Sequence, residues 1–230
     1  MAGPQLVQLE ASPDLAERVY RSLLDAISDG SLAPGQRITQ EDIAQQLAVS
    51  RQPVLQALRL LKKDGLVQDA PGRGLQVAEL DVEWMQQVYQ VRGALDALAA
   101  RLAAQRRCVL DPRLVDRGRL AARSGDVKAM IEADLAFHSA IYAAAGNPLI
   151  EQSAQVHWRH LRRVMGAVLQ HARQRDAVWD EHQAIAAAIA AGDAERSARL
   201  IDQHSLHASD NLAERLHHVL KSANDIRRPA

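Results

Sequence analysis

The sequence predicts a mainly α chain in two parts: three helices with a small β-hairpin over residues 13–79, then an all-helical antiparallel bundle of about six helices over 80–222. Three observations predict it. Apolar residues recur at helical spacing from Asp14 onward. Two short apolar segments flank the turn sequence Pro71-Gly72-Arg73-Gly74. Beyond Leu80 alanine dominates, proline becomes scarce and nothing alternates like a strand.

From Asp14 to Asp29, Leu15, Val19, Leu23 and Ile27 recur every four residues, and Gly30 ends this amphipathic helix. Pro34-Gly35 is a turn, after which Arg37-Ile38 can make a very short strand. Thr39 caps a second helix, with Asp42 completing an imperfect capping box; the helix turns Ile43 and Leu47 inward and stops near Ala48. Ser50 caps a third. There Pro53 occupies the third position, where a missing N–H is harmless; Val54, Leu58 and Leu61 form the buried stripe, and Gly65 terminates the helix. Leu66-Val67 and Leu75-Gln76-Val77 close the hairpin. Residues 1–12 lack periodicity and read as a flexible tail. Helix, tiny strand, helix, tight turn, helix, hairpin is the order of a winged helix-turn-helix.

In the second part, Asp111-Pro112, Ser124-Gly125-Asp126, Gly146-Asn147-Pro148 and Ala191-Gly192-Asp193 are turn signals. They divide helices at about 82–106, 111–123, 126–145, 148–171, 175–191 and 193–221. Residues 223–230 read as a second tail, and the boundary near 78–82 leaves almost no linker.

The chain has one cysteine, Cys108, so neither an intrachain disulfide nor a cysteine metal cluster can form. The N-terminus lacks the charged and apolar regions of a secretory signal, and no stretch approaches the ~18 apolar residues of a bilayer span. A cytoplasmic protein with no membrane partner is the expectation. Net charge is zero, which counts mildly against nucleic acid. The charges are uneven, however. Arg51, Arg59, Lys62, Lys63 and Arg73 are opposed along their own stretch only by Asp64 and Asp69.

A recognition helix aims its first side chains at base edges. Arg51 and Gln52 lie in the first turn of the third helix, and Gln56 and Arg59 follow on the face opposite Val54, Leu58 and Leu61. Arginine suits guanine and glutamine suits adenine. Lys62 and Lys63 are placed for phosphate, and Arg73 at the hairpin tip for phosphate or the minor groove. Thr39, Ser50 and Gly72, at two helix starts and the hairpin turn, complete the candidate surface for double-stranded operator DNA. Most surface Arg and Lys are merely solvated; the helix-turn-helix order favours DNA here.

Leu32-Ala33-Pro34-Gly35-Gln36-Arg37-Ile38, the run from Ile43 to Val54, Ala57-Leu58, Leu61 and Asp64-Gly65-Leu66-Val67 resemble the GntR family of bacterial repressors. The resemblance implies a homodimer on a palindromic operator, with Arg51 on a base and the Gly72 turn near the backbone. One departure is Leu55-Gln56, where the family usually has Arg-Glu; the missing arginine implies an altered operator and more reliance on Gln52, Gln56 and Arg59.

All nine histidines fall in the second part. Asp134 and His138, four apart, share a helix face, while His182 and His204 lie on two further helices. Such residues can converge inside a bundle, and three imidazoles with a carboxylate suit Zn²⁺, Ni²⁺ or Mn²⁺. By spacing alone, nine histidines will also offer an Asp-x₃-His pair by accident. Residues 85–215 further resemble the FCD effector domain of the FadR-like branch, through Asp134-Leu135-Ala136-Phe137-His138, Ala145-Gly146-Asn147-Pro148, Glu181-His182 and His204. That resemblance implies a divalent metal, zinc first, on Asp134, His138, His182 and His204. Six helices rather than seven is similar to the VanR-like subgroup. It also implies a small organic acid effector at the metal, with Arg92 as its clamp; a surface role for Arg92 is equally open. Asp96 stands where a glutamate is more usual.

Arg159, Arg162, Arg163, Arg173 and Arg175 form an acid-free basic run, with His157 and His160 as spare ligand contacts and His207 as a neighbour of the metal ligands. Trp158 and Trp179 read as core or interface. The expected function is a ligand-responsive transcriptional regulator, a repressor. Two alternatives are a metal-dependent enzyme, which would leave residues 14–78 unexplained, and a metal-stabilised protein that senses nothing.

Overall fold

A computed structural model describes residues 15–169 and 176–227. The expected 1–12 tail, Arg173 and Arg175 lie outside these residues, as do Asp14 and the 170–171 end of one expected helix. The order is α1 (Leu15–Ser28), β1 (Arg37–Ile38), α2 (Gln40–Gln46), α3 (Arg51–Lys63), β2 (Val67–Asp69) and β3 (Leu75–Val77). Then follow α4 (Val82–Gln105), α5 (Arg113–Ser124), α6 (Val127–Ala145), α7 (Pro148–Leu169), α8 (Asp176–Ala191) and α9 (Ala194–Arg227). The chain divides into two compact units, the first ending at Ala78.

In the first unit, Val19, Leu23 and Ile27 of α1 pack with Ile43, Val54, Leu58, Leu61 and Val77. Leu15, expected in the buried stripe, is 38% exposed, because it opens the helix one turn short of the core. Tyr20 donates to Asp64 at 2.5 Å, tying α1 to the end of α3. Thr39 caps α2 by accepting from the Asp42 N–H at 3.1 Å. Ser50 holds the cap position of α3 with extended backbone, but its side chain makes no capping bond. The expected cap at Ser50 is thus positional only.

The strands form an antiparallel sheet in the order β1-β3-β2, with Arg37 opposite Gln76 and Gln68 also opposite Gln76 on its other edge. At the hairpin tip Gly72 and Gly74 have φ of 88° and 101°, a region that strains any residue with a Cβ. The Arg37 guanidinium donates to the carbonyls of Pro71 and Arg73 at 2.6 and 3.2 Å, bracing the wing from β1.

In the second unit α4 is central, packing against α6, α7, α8 and α9. Its small residues Ala99, Ala100, Ala103 and Ala104 are fully buried, which lets α9 approach closely. Asp81 and Asp126 cap α4 and α6 through Trp84 N–H and Ala129 N–H, each at 3.1 Å. α9 continues to Arg227 rather than yielding to a tail at 223, since no proline or glycine occurs before Pro229. No helix among the described residues is long and apolar enough to cross a membrane.

Candidate functional site

On α3 the buried stripe of Pro53, Val54, Ala57, Leu58 and Leu61 anchors one face in the first unit's core. Arg51, Gln52, Gln56, Arg59, Lys62 and Lys63 are exposed on the other. Thr39, Ser50, Gly72 and Arg73 are exposed as well. The sequence reading of this surface missed its internal pairing. Arg51 binds Glu41 of α2 at 2.7 Å, and Lys62 binds Asp69 of β2 at 2.6 Å. Both pairs are solvated and weak, so DNA phosphates can compete for either cation.

In the second unit, α6 supplies Asp134 and His138, α8 supplies His182, and α9 supplies His204. One candidate ligand atom from each lies within 4.8 Å of all the others. His182 Nε2 stands 3.2 Å from His204 Nε2 and 3.5 Å from the Asp134 carboxylate. The three imidazoles are buried: His138 and His182 are 0% exposed, His204 3%. Burial pushes the His138 pKa down, partly offset by Asp96, and pushes that of His182 well down. Both therefore present neutral rings with lone pairs, the form a metal takes.

The donor set fits a divalent ion on the structure's own terms. Both ring nitrogens of His138 and Nδ1 of His182 are buried without a hydrogen-bond partner; such orphaned groups each cost about 1–3 kcal/mol. Donors about 2.1 Å from one ion stand at most roughly 4.2 Å apart, so closure needs only small side-chain shifts.

Aromatic rings fix the histidines. Phe137 stacks on His182 at 4.2 Å between centroids, and Trp179 meets the same ring edge-on at 4.6 Å. Trp158 lies 5.2 Å from His138. A cavity of about 180 Å³ opens beside the cluster, with Tyr89, Arg92, Asp134, Glu181, His204 and His207 in its wall.

The gntR family of bacterial regulatory proteins matches residues 15–77, and the FCD domain matches residues 87–207, more than half of the chain. This chain belongs to the GntR family and carries an FCD domain. It is 24% identical over 211 residues to the HTH-type transcriptional repressor RspR of Escherichia coli (strain K12), covering 90% of this chain and 92% of that one. It is 35% identical over 83 residues to the HTH-type transcriptional regulator YdhC of Bacillus subtilis (strain 168), covering 36% and 37%. The solved structure of E. coli McbR/YncC is similar in fold, with a TM-score of 0.75 at 22% identity over 90% of this chain and all of that one. The chain is a DNA-binding transcriptional regulator, from a family of regulators rather than enzymes.

In this GntR-family chain Arg92 is a pocket residue, 1% exposed. Its guanidinium lies over the rings of Trp158 and Tyr89 at 4.5 and 4.9 Å. Asp96 Oδ2 stands 3.3 Å from Arg92 Nε and 3.5 Å from His138 Nδ1, and its other oxygen accepts from Tyr142, which in turn accepts from Trp158. Burial alone would raise Asp96, but the Arg92 charge, helped by the hydrogen bond from Tyr142, holds it below the ordinary carboxylate range. Burial would likewise lower Arg92, and Asp96 reverses that. Arg92 Nε and Nη1 are left without hydrogen-bond partners.

Glu181, the sequence neighbour of His182, accepts from His204 Nδ1 at 2.8 Å and His207 Nδ1 at 2.9 Å. Those bonds, the His204 one first, hold its pKa down. Of the spare candidates, His160 packs against Trp84 instead of the cavity, and His157 is half-buried on α7. Trp158 and Trp179 are both core, and both also wall the histidine cluster.

Proposed function

We propose that this regulator is a repressor that binds a palindromic operator as a homodimer and senses a small organic acid in a metal-containing pocket of its FCD domain. The carrying observation is the juxtaposition of four convergent ligand groups with a buried arginine whose Nε and Nη1 lack hydrogen-bond partners, at one cavity. Asp134, His138, His182 and His204 would hold the metal: zinc by preference for nitrogen donors, nickel or manganese as lesser fits. When bound it supplies a Lewis-acid site for a carboxylate oxygen. Arg92, held by Asp96 and stacked between aromatic rings, offers a guanidinium fork to the same anion. Repression is supported by likeness to a repressor, and a cytoplasmic location by the regulator class.

On DNA, Arg51, Gln52, Gln56 and Arg59 would read bases, with Thr39, Ser50, Lys62, Gly72 and Arg73 on the backbone. An effector changes operator affinity only if it favours one arrangement of the protein over another. The test uses operator fragments selected by the purified protein from genomic DNA. Fluorescence anisotropy of the zinc-loaded protein is then measured with succinate, glucuronate and benzoate. The expected result is a shift in operator affinity with at least one acid class that disappears in His138→Ala/His182→Ala. Persistence of both bound metal and acid response in that variant would overturn the site. Tight metal with no response to any acid would leave a metal-stabilised, non-sensing protein.

A further inference from the structure

The cavity beside the histidine cluster is chemically one-sided. Helices α8 and α9 pack as an antiparallel pair joined by a turn at Gly192-Asp193, and the hydrogen bond of 2.8 Å between His204 and Glu181 sets them in step. At that level Asp134 and His204 stand in the wall, with Arg92 tied to the same end through Asp96, which lies between it and His138. Arg92 Nη1 is buried there without a hydrogen-bond partner. From this end the wall runs one to two turns along the two helices, to Val178 on α8 and to Ala208 and Leu212 on α9, with Met165 entering from α7. At 1.5 Å per residue those turns span roughly 5–12 Å. The far end is apolar, and its Leu212 and Met165 are buried.

Charge is just as uneven. Arg92 is the one Arg or Lys among the described residues that line the cavity. Glu181 stands between the two ends as a carboxylate, each of its oxygens accepting from a histidine. Near the rim, Asn211 Nδ2 and His207 Nδ1 already donate to the His207 carbonyl and to Glu181. One anionic group can be received at Arg92; a second would meet apolar side chains and a like charge.

We infer that the effector is a monocarboxylate with a compact apolar body, aromatic or short aliphatic, and that the cavity refuses dicarboxylates and sugar acids. The inference rests on the acid-sensing reading above and narrows it to one class. Size agrees. A cavity of about 150 Å³ takes one benzene ring, and the volume of about 180 Å³ here adds room for a carboxylate. A second carboxylate on such a body would be buried against Met165 and Leu212 with no cation to meet it. The hydroxyls of a sugar acid would lose water there without replacement partners. The selection therefore works by exclusion.

The test measures binding to the zinc-loaded full chain by calorimetry, with acids paired by shape: benzoate against terephthalate, hexanoate against adipate, and glucuronate for the sugar acids. At least one monoacid should bind at least about tenfold more tightly than its diacid and than glucuronate. Val178→Arg, at a half-buried position, supplies a cation at the far end. It should narrow or reverse the ratio while zinc binding persists, which shows an intact fold and metal site. If a diacid or glucuronate binds the wild-type chain as tightly as the monoacids, or if Val178→Arg leaves the ratio unchanged, the class is wrong and acid sensing stands. If none of the five acids binds and operator affinity responds to none of them, both fall.

Discussion

Replacing Glu181 by alanine tests whether the site is organised for a metal beyond its four ligands. In the structure Glu181 accepts from His204 Nδ1 at 2.8 Å, which fixes the tautomer and leaves Nε2 facing His182 at 3.2 Å. A carboxylate behind a ligating imidazole holds its orientation and raises its basicity; losing such a partner typically costs about 10- to 100-fold in metal affinity. That corresponds to about 1.4–2.7 kcal/mol. Glu181→Ala should therefore weaken zinc binding by this factor, whereas His204→Ala, which removes a ligand, should cost more. Glu181→Gln keeps an oxygen that can accept from Nδ1–H and should recover part of the loss. Competition against a chromophoric chelator at neutral pH reads all three. Wild-type affinity in Glu181→Ala beside a clear loss in His204→Ala would refute the positioning role. Unchanged affinity in both would refute the metal centre itself.

Further outcomes follow from the same geometry. Stripping metal with a chelator should lower the melting temperature, and zinc at 1,000 times its Kd should restore about 4.1 kcal/mol, roughly 8–16 °C for a chain of this size; an unchanged melt would count against the assignment. Gly118→Ala should destabilise the bundle by about 1–3 kcal/mol, measured by urea denaturation, because a Cβ there would lie 2.1 Å from the Trp179 ring that walls His182. Arg51→Ala should cost about 1–3 kcal/mol of operator affinity with zinc binding untouched. Glu41→Ala, which releases Arg51 and removes a like-charged neighbour of phosphate, should tighten operator binding by up to about fivefold; weaker binding would show that Glu41 positions Arg51 instead of competing for it.

The helices and the Asp134/His138 pair were legible in the sequence because both are local, whereas His182 and His204 joined the candidate set only through the family resemblance. The cap Asp126 sits where a turn signal puts it, and Asp134 and His138 share a face by helical spacing alone. The burial of Arg92, left open on sequence grounds, had a signal there: Met85, Tyr89, Arg92, Asp96 and Ala99 recur at helical spacing, so the pair rides the same face as core residues. What could not be read were contacts between elements. Glu181 is adjacent to His182 on α8, and only the arrival of α9, with His204 and His207 one turn apart, gives its two oxygens their partners. Arg51 and Glu41 meet across the tight turn between α2 and α3, a juxtaposition that neither helix encodes. Burial of Asp96, one methylene shorter than the glutamate expected there, is resolved by Tyr142, which reaches it from α6.

The placement of Arg92 on α4 gives the sensing proposal its mechanical content. An anion drawn to the Arg92 guanidinium pulls on the helix that packs against α6, α7, α8 and α9. An acid that fits the cavity beside Arg92 better in one position of α4 than in another would shift that helix, a displacement of an ångström or two being typical of such transitions. Four residues separate β3 from the start of α4, which leaves little chain to absorb that motion. Linkage then sets a quantitative demand. Whatever factor an acid applies to operator affinity, the operator must apply to acid affinity. Titrating the acid by calorimetry with and without saturating operator measures the second factor, and a mismatch with the first would rule out this two-site equilibrium as the route from pocket to DNA.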